Sequence, residues 1–373
     1  MEAKIDNQSV LVTDHDHNDH NNIDHNKNPV MYSRELVWRN IVLMSFVYMS
    51  AVYGLYLAVT AAQFKTIVFM NFIGVLSSLG VQAGCHRLWC HRTYKANVPL
   101  KIILMVMQTL AFQNDIYEWS RDHRLHHKHS DTDADPHNSG RGFFFSHVGW
   151  LLCKKHPEVK EKGKTIDMSD IPHNSGRGFF FSHVGWLLCK KHPEVKEKGK
   201  TIDMSDIASD PIVQFQRAFY IPLLALIWAA IPTFIPHYYW GETLWNSLFV
   251  CVMLRYCYIV NLTWCINSVA HIYGMKPYDN SIKPVEAHMR HFFNGEGYHN
   301  FHHAFPWDYS ASELGAIDTF NPGTAFIDMF AAIGWAYDLK KASNDMVKSR
   351  QTKSGDIHYT FKSRLSEQIV GSI

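Results

Sequence analysis

Three short stretches of the chain concentrate imidazole. "HRLWCH" carries His86 and His91, "HRLHH" carries His123, His126 and His127, and "HNFHH" carries His299, His302 and His303. The last two share the pattern H-x-x-H-H. Residues three and four apart lie on one face of a helix, so each triplet can point at a common target. His86 and His91 are five apart and diverge by about 140° on an ideal α-helix, which places one of them where a helix frays. "NSVAH" adds His271, with Asn267 one turn earlier. Any one of these residues reads as well as an ordinary polar group at an interface, but nine together do not. Clustered protonated imidazoles repel one another, whereas a metal favours their neutral form and compensates for bringing them together. A structural zinc site takes about four ligands, so nine suggest two metals with positions left open for chemistry. All-nitrogen ligation suits iron, zinc or copper alike.

To share metals, the clusters must lie on one side of whatever the chain crosses. Residues 41–62 and 66–85 are free of charge, and each reaches the roughly 20 residues that an α-helix needs to cross the hydrocarbon core. They form a hairpin around "QFK". Residues 218–240 and 244–270 form a second hairpin around "GET", the latter interrupted by Arg255. An arginine inside an apolar helix calls for a buried polar partner or a functional role. A fifth apolar run, 102–112, is too short to span and fits a buried or interfacial helix. The expected fold is therefore an all-α membrane protein: four transmembrane helices in two hairpins, with a helical cap carrying the histidines. Four crossings leave the N-terminus, residues 86–217 and the C-terminus on one side. The short loops opposite carry only Lys65, so the cationic side is expected to be cytosolic.

The remaining features set limits. A formal charge of +2, from 36 basic and 34 acidic residues, gives no reason to expect nucleic acid. Of the 24 histidines, His15, His17, His20 and His25 sit in a polar low-complexity run that reads as a disordered tail over 1–30. Seven cysteines show no disulfide pattern, and the first thirty residues lack the apolar core of a cleavable signal peptide. A 36-residue stretch occurs at 136–171 and again, unchanged, at 172–207. Two identical units do not make a solenoid, so an in-frame duplication or an assembly error is the expected origin. Residues 31–343 are expected to form the main domain, and 344–373 a flexible C-terminal tail.

At the histidine boxes the sequence resembles the membrane acyl-CoA desaturases, the stearoyl-CoA desaturase family, and most of all its insect branch, including moth delta-9 and delta-11 desaturases. Further motifs carry the resemblance: "WRNI", "QNDIYEWSRDHR", "DADPHN", "GFFFSHVGW", "NLTWCINSVAH" and "GEGYHNFHHAFPWDYSASE". The family implies two iron ions held by His86, His91, His123, His126, His127, His271, His299, His302 and His303, with Asn267 holding a water on one metal. It also implies dioxygen as oxidant, because an unactivated methylene has no acidic proton for a base to remove. The expected product is a cis double bond in a saturated C14–C18 acyl-CoA, in unsaturated fatty acid or pheromone-precursor synthesis at the endoplasmic reticulum membrane. Electrons are expected from cytochrome b5 with NADH-cytochrome b5 reductase, since no fused haem domain is evident.

For the substrate, the resemblance implies a CoA head-group site at Asn40, Asn114, Arg121, Asp122 and the Lys pair of "CKKHP", which the duplication offers twice, as Lys154 and Lys155 or as Lys190 and Lys191. Apart from the resemblance, each pair reads equally as solvated charge. Gln113, Trp119, Thr263 and Trp264 match residues that shape the bend of the acyl tunnel. Gly74, Ser78, Gln82 and His86 follow at four-residue steps and form a stripe that is either a groove for an acyl tail or a close helix contact. Two rival functions remain open at this point: a hydroxylase on the same scaffold, and a metal transporter. Transport would want ionisable ligands along the spans, whereas here they gather at the ends.

Overall fold

The computed structural model describes residues 36–132, 134–156, 159, 203–288, 290–314 and 320–356. The tail 1–30, Lys190, Lys191 and most of the second repeat copy lie outside the described residues. Among the described residues, four helices are long and apolar enough to cross a membrane: α1 (Trp38–Thr60), α2 (Phe64–Cys90), α6 (Tyr220–Trp240) and α7 (Leu244–Ile272). The chain is a multi-pass membrane protein. Between the hairpins lie strand β1 (Lys95–Ala96), α3 (Val98–Ala111), α4 (Ile116–Lys128) and α5 (Pro211–Ala218). After them come β2 (Gly274–Met275), β3 (Glu286–Ala287), α8 (His299–Ala304), α9 (Pro322–Ala332), β4 (Ala336–Tyr337) and α10 (Asn344–Ser354). The strands are only antiparallel clasps, β1 with β4 and β2 with β3.

The two hairpins are joined at their turns by one carboxylate. Glu242, in the "GET" turn, accepts from the Gln63 backbone N–H (2.8 Å), the Thr66 hydroxyl (2.7 Å) and the Asn246 amide (2.9 Å). Glycines bring the helices together: a Cβ on Gly54 would stand 2.3 Å from the Phe249 carbonyl oxygen, and one on Gly80 would stand 2.3 Å from Met107 backbone. Such contacts need a residue without a side chain, which is how small residues let helix backbones approach in membranes. Arg255 of α7 finds its partners across the same bundle. Its guanidinium donates to Ser77 Oγ (2.7 Å) and to the carbonyls of Leu110 (2.9 Å) and Cys251 (2.7 Å). Among these partners there is no carboxylate, so the cation is dispersed over neutral acceptors from α2, α3 and α7.

The short apolar run between the hairpins is α3, whose 14 residues are capped by Asn97 Oδ1 accepting from the Leu100 N–H (3.1 Å). The chain reverses through left-handed Phe112 and Asn114, and Asp115 then caps α4 by accepting from the Glu118 N–H (2.9 Å). The stretch from residue 344, expected to be flexible, is helical over its first eleven residues. Asn344–Ser354 forms α10, held by buried Val347 in a cluster with Tyr278, Phe301 and Phe305 and by Arg350 paired to Asp279. No periodic apolar pattern announces this helix, because one buried residue and one ion pair carry it.

The duplicated stretch is used in halves. From the first copy, Lys155 pairs with Asp122 at 2.6 Å, and the Leu152 carbonyl accepts from the Val37 N–H at 2.8 Å. From the second copy, Met204 and Ile207 are buried in the main core, and Asp206 pairs with Arg124 at 2.8 Å.

Candidate metal centre

α2 and α7 both start at the Glu242 clasp; α2 reaches His86 about 22 residues on and α7 reaches His271 about 27 residues on, roughly 30 and 40 Å away at 1.5 Å per residue. The last 11 residues of α2, Gly80–Cys90, are a π-helix, and the His91 N–H closes onto the His86 carbonyl at 3.1 Å. This i→i+5 spacing removes the 140° divergence expected of an α-helix, so residues five apart share a face. His91 caps that helix, and the two rings lie 5.0 Å apart. α4 presents "HRLHH" and α8 presents "HNFHH"; His271 closes α7.

The nine imidazoles converge as two groups. His86, His91, His123, His127 and His302 form one, and His126, His271, His299 and His303 the other, with the ligand nitrogens of each group all within 4.8 Å of one another. Neither H-x-x-H-H box serves a single target, contrary to the expectation from helical spacing. His123 and His127 belong to the first group while His126 belongs to the second; His299 and His303 belong to the second while His302 belongs to the first. Positions i and i+4 turn one way and i+3 the other, so each box straddles both groups.

The donor set fits two cations. In the first group the Nε2 atoms of His86 and His127 both face His302 Nε2, at 2.9 and 3.0 Å. In the second, His299 Nε2 faces those of His271 (3.0 Å) and His303 (3.1 Å). Behind them, carboxylates hold the other ring nitrogen: Glu296 at 3.0 Å from His86 Nδ1, Asp131 at 3.1 Å from His271 Nδ1, and Asp135 at 2.9 Å from His126 Nδ1. A ring whose Nδ1–H is donated has a bare lone pair on Nε2. Bare lone pairs aimed into clusters of further imidazole nitrogens are what a cation in each group would satisfy.

Burial, reinforced by the neighbouring imidazoles, holds His91, His123, His127, His299, His302 and His303 well below the usual histidine range. These rings are neutral, as ligands must be. Burial also acts to lower His126, but the charge and hydrogen bond of Asp135 outweigh it and raise its pKa. Against its own burial, Glu296 is pulled down to about 2 by the Arg87 guanidinium and His86, with Arg87 Nη2 at 2.6 Å.

These carboxylates have no counterpart among the ligands read from the sequence. Asp131 and Asp135 lie in the run that ends in "DADPHN", directly behind "HRLHH", and Glu296 lies in "GEGYHN", three residues before His299. Acidic residues at that remove from a histidine box were the available signal. The Gly pair around Glu296 has a steric reason: Gly295 has φ +88°, and a Cβ on Gly297 would stand 2.5 Å from Arg290 Cα.

The other expected residues fall into two places. Arg121 donates to Asp122 (2.9 Å), Asp122 meets Lys155 (2.6 Å), and Asn40 Nδ2 donates to the Leu151 carbonyl (2.8 Å) just before that lysine; Lys154 is exposed. Asn114 accepts from Gln108 through its backbone carbonyl at 2.6 Å. Nearer the histidines, Gln113 donates to Thr263 (3.0 Å), Trp119 stacks on His123 (4.8 Å between centroids), and Trp264 is buried with Val260 and Val148. Asn267 stands one turn before His271, half-buried. Ser78 accepts from Gln82 (3.0 Å) and Asn294 (3.3 Å). A Cβ on Gly74 would meet only side chains, Ile259 Cδ1 at 3.5 Å and Arg255 Cγ at 3.8 Å, so this glycine, unlike Gly54 and Gly80, is not forced by backbone contact.

Two interleaved histidine groups, gathered from the ends of α2 and α7 and from α4 and α8, define a multi-pass membrane protein with a histidine-rich metal-binding cluster, and comparison with known proteins gives its family. Residues 62–318 match the fatty acid desaturase family, and the chain belongs to it. It is similar to the acyl-CoA Delta-9 desaturase of Acheta domesticus, 48% identical over 326 residues, covering 87% of this chain and 80% of that protein. It is also similar to the acyl-CoA Delta(11) desaturase of Choristoneura rosaceana (49% over 306 residues, 82% and 80% covered). Stearoyl-CoA desaturase 5 of Bos taurus is 45% identical over 326 residues, 87% and 86% covered.

Proposed function

We propose that this protein is an oxygen-dependent fatty acyl-CoA desaturase that places a cis double bond in a saturated C14–C18 acyl chain. The observation that carries the reading is the division of nine histidines into two groups that could each hold a metal, in a chain of the fatty acid desaturase family. Overall, a CH2–CH2 unit, dioxygen, two electrons and two protons become an alkene and two waters. Two iron ions, when bound, supply the activation of dioxygen that this oxidation requires. The nine histidines would hold them, with Asn267 placed to reach one of them through a water.

The protein's own groups hold the substrate. Arg121, Asp122, Lys155, Asn40 and Asn114 bind the CoA head group, where cationic and amide donors suit phosphate. The Lys155–Asp122 ion pair of 2.6 Å supports assigning this role to the first copy's lysines, Lys154 and Lys155. Gln113 and Thr263, joined by their hydrogen bond, shape the bend of the acyl chain with Trp119 and Trp264 and bring one methylene pair to the metals. Gly74 and Ser78 line its far end. Burial of the histidines keeps bulk water from the reacting carbons. Electrons come from cytochrome b5 and its NADH-dependent reductase. The protein resides in the endoplasmic reticulum membrane with its metal centre and both termini cytosolic.

Expression in desaturase-deficient yeast, followed by location of the double bonds in the new fatty acids, tests the reading. Growth without added unsaturated fatty acid is expected. A hydroxylated product, or none, would overturn it.

A further inference from the structure

Each of the three carboxylates behind the histidines has its oxygens divided between partners. Asp131 Oδ1 accepts from the Ser139 backbone N–H (2.9 Å) and from the Ser139 hydroxyl, while Oδ2 takes His271 Nδ1 at 3.1 Å and the Ser130 hydroxyl at 3.2 Å. Glu296 Oε1 accepts from Arg87 Nη2 at 2.6 Å, while Oε2 takes His86 Nδ1 at 3.0 Å. Asp135 differs, because both of its oxygens accept backbone N–H groups, those of Asp131 (2.7 Å) and His137 (2.8 Å), as well as His126 Nδ1.

We propose that Asp131 and Glu296 are positioning residues that fix His271 and His86 in the tautomer with a bare Nε2, one for each metal group. The assignment rests on the reading that the two groups bind metal. For each carboxylate, one oxygen is pinned by a donor that cannot accept: a backbone N–H beside Asp131, a guanidinium beside Glu296. An ionised carboxylate held by such donors carries no proton of its own, so the other oxygen accepts from the imidazole, which puts the ring proton on Nδ1 and the lone pair on Nε2. A metal-ligating histidine needs this outer partner for its orientation and basicity, and loss of the partner typically costs 10–100-fold in metal affinity.

The asymmetry of the partners gives an unusual ordering of variants. In Asp131→Asn the amide oxygen must face the Ser139 N–H, so the NH2 faces His271. The ring then has to accept at Nδ1, its proton moves to Nε2, and the ligand lone pair is lost; an Asp→Asn exchange beside a histidine is known to act through the wrong tautomer. Asp131→Ala leaves His271 free to choose either tautomer. On structural grounds the order would be the reverse, because Asp131 has φ +60° and asparagine tolerates that conformation better than alanine does. Glu296→Gln repeats the experiment in the other group, since its carbonyl must face Arg87. Asp135 is unsuitable for this test, as either amide orientation would set an NH2 against a backbone N–H.

The test is metal content per chain of the full-length protein purified in detergent and loaded with Fe(II) or Co(II), with the Co(II) absorption spectrum to distinguish the groups. Wild type is expected to hold two ions. Asp131→Asn and Glu296→Gln are each expected to hold about one, with different residual spectra, and Asp131→Ala to hold more than Asp131→Asn. Two ions in Asp131→Asn, or an alanine variant that binds no more than the asparagine variant, would overturn the proposal. Absence of metal from wild type would instead overturn the metal reading beneath it.

Discussion

The imidazoles of His127 and His303 stack face to face, with centroids 4.0 Å apart and planes inclined by 11°. Each is the last residue of an H-x-x-H-H box, and each belongs to a different ligand group. The seam between the two metal groups thus runs between these rings, and both boxes reach across it.

Substitution at the i+3 positions tests that exchange. His126→Ala is expected to remove the metal of the group formed with His271, His299 and His303. His302→Ala is expected to remove the other, although it lies in the same box as His299 and His303. Each should lower desaturation by at least about 100-fold, the upper range for loss of even an outer partner. If His302→Ala and His299→Ala abolished the same metal signature, the division into groups would be wrong.

Glu286 gives a pH dependence. It is buried on β3 beside α8, and its carboxyl accepts from the Phe301 N–H at 2.8 Å. Burial raises its pKa from 4.5 to about 8. The folded state therefore keeps a proton that the unfolded state releases, so this group's contribution to stability falls as pH rises from 4.5 to about 8. Glu286→Gln keeps an acceptor for Phe301 and cannot ionise. Its melting temperature in detergent, compared with wild type from pH 5 to 9, should show a growing advantage toward alkaline pH; parallel curves would contradict this.

Gly74 tests the acyl groove. A Cβ there has ordinary contact room beside Ile259 and Arg255, but a phenol needs space well beyond that contact. Gly74→Tyr is expected to shift preference from C18 toward C14 acyl-CoA in a competition assay. An unchanged preference would mean that the glycine serves helix packing alone.

Removing 172–207 tests the duplication. Because the copies are identical, the product is the same whichever copy is removed. A single copy retains both the lysine that meets Asp122 and the Met–Ile pair that fills the core. Activity in yeast is expected to be preserved or increased, and loss of activity would show that the added 36 residues are required.

Much of the architecture was legible in the chain. Four apolar runs, the last broken only by Arg255, give the spans to within a few residues, since an apolar run of that length satisfies its own backbone in lipid as an α-helix. The histidine pairs at i and i+4 likewise follow from helical spacing. Three features did not follow. The π-helix that aligns His86 with His91 arises where α2 packs against α3, and periodicity of 3.6 residues hides it. The opposite aim of His126 and His302 depends on how α4 and α8 face one another. The partners of Arg255 and the roles of Asp131 and Glu296 are long-range contacts, which local pattern does not encode.

The most direct measurement is elemental analysis of the purified full-length protein together with NADH- and cytochrome b5-dependent conversion of stearoyl-CoA. Two iron ions per chain are expected, with conversion lost on chelation and regained on addition of Fe(II). Protein that converts stearoyl-CoA with no bound iron, or that binds a single ion through all nine histidines, would contradict the paired metal centre.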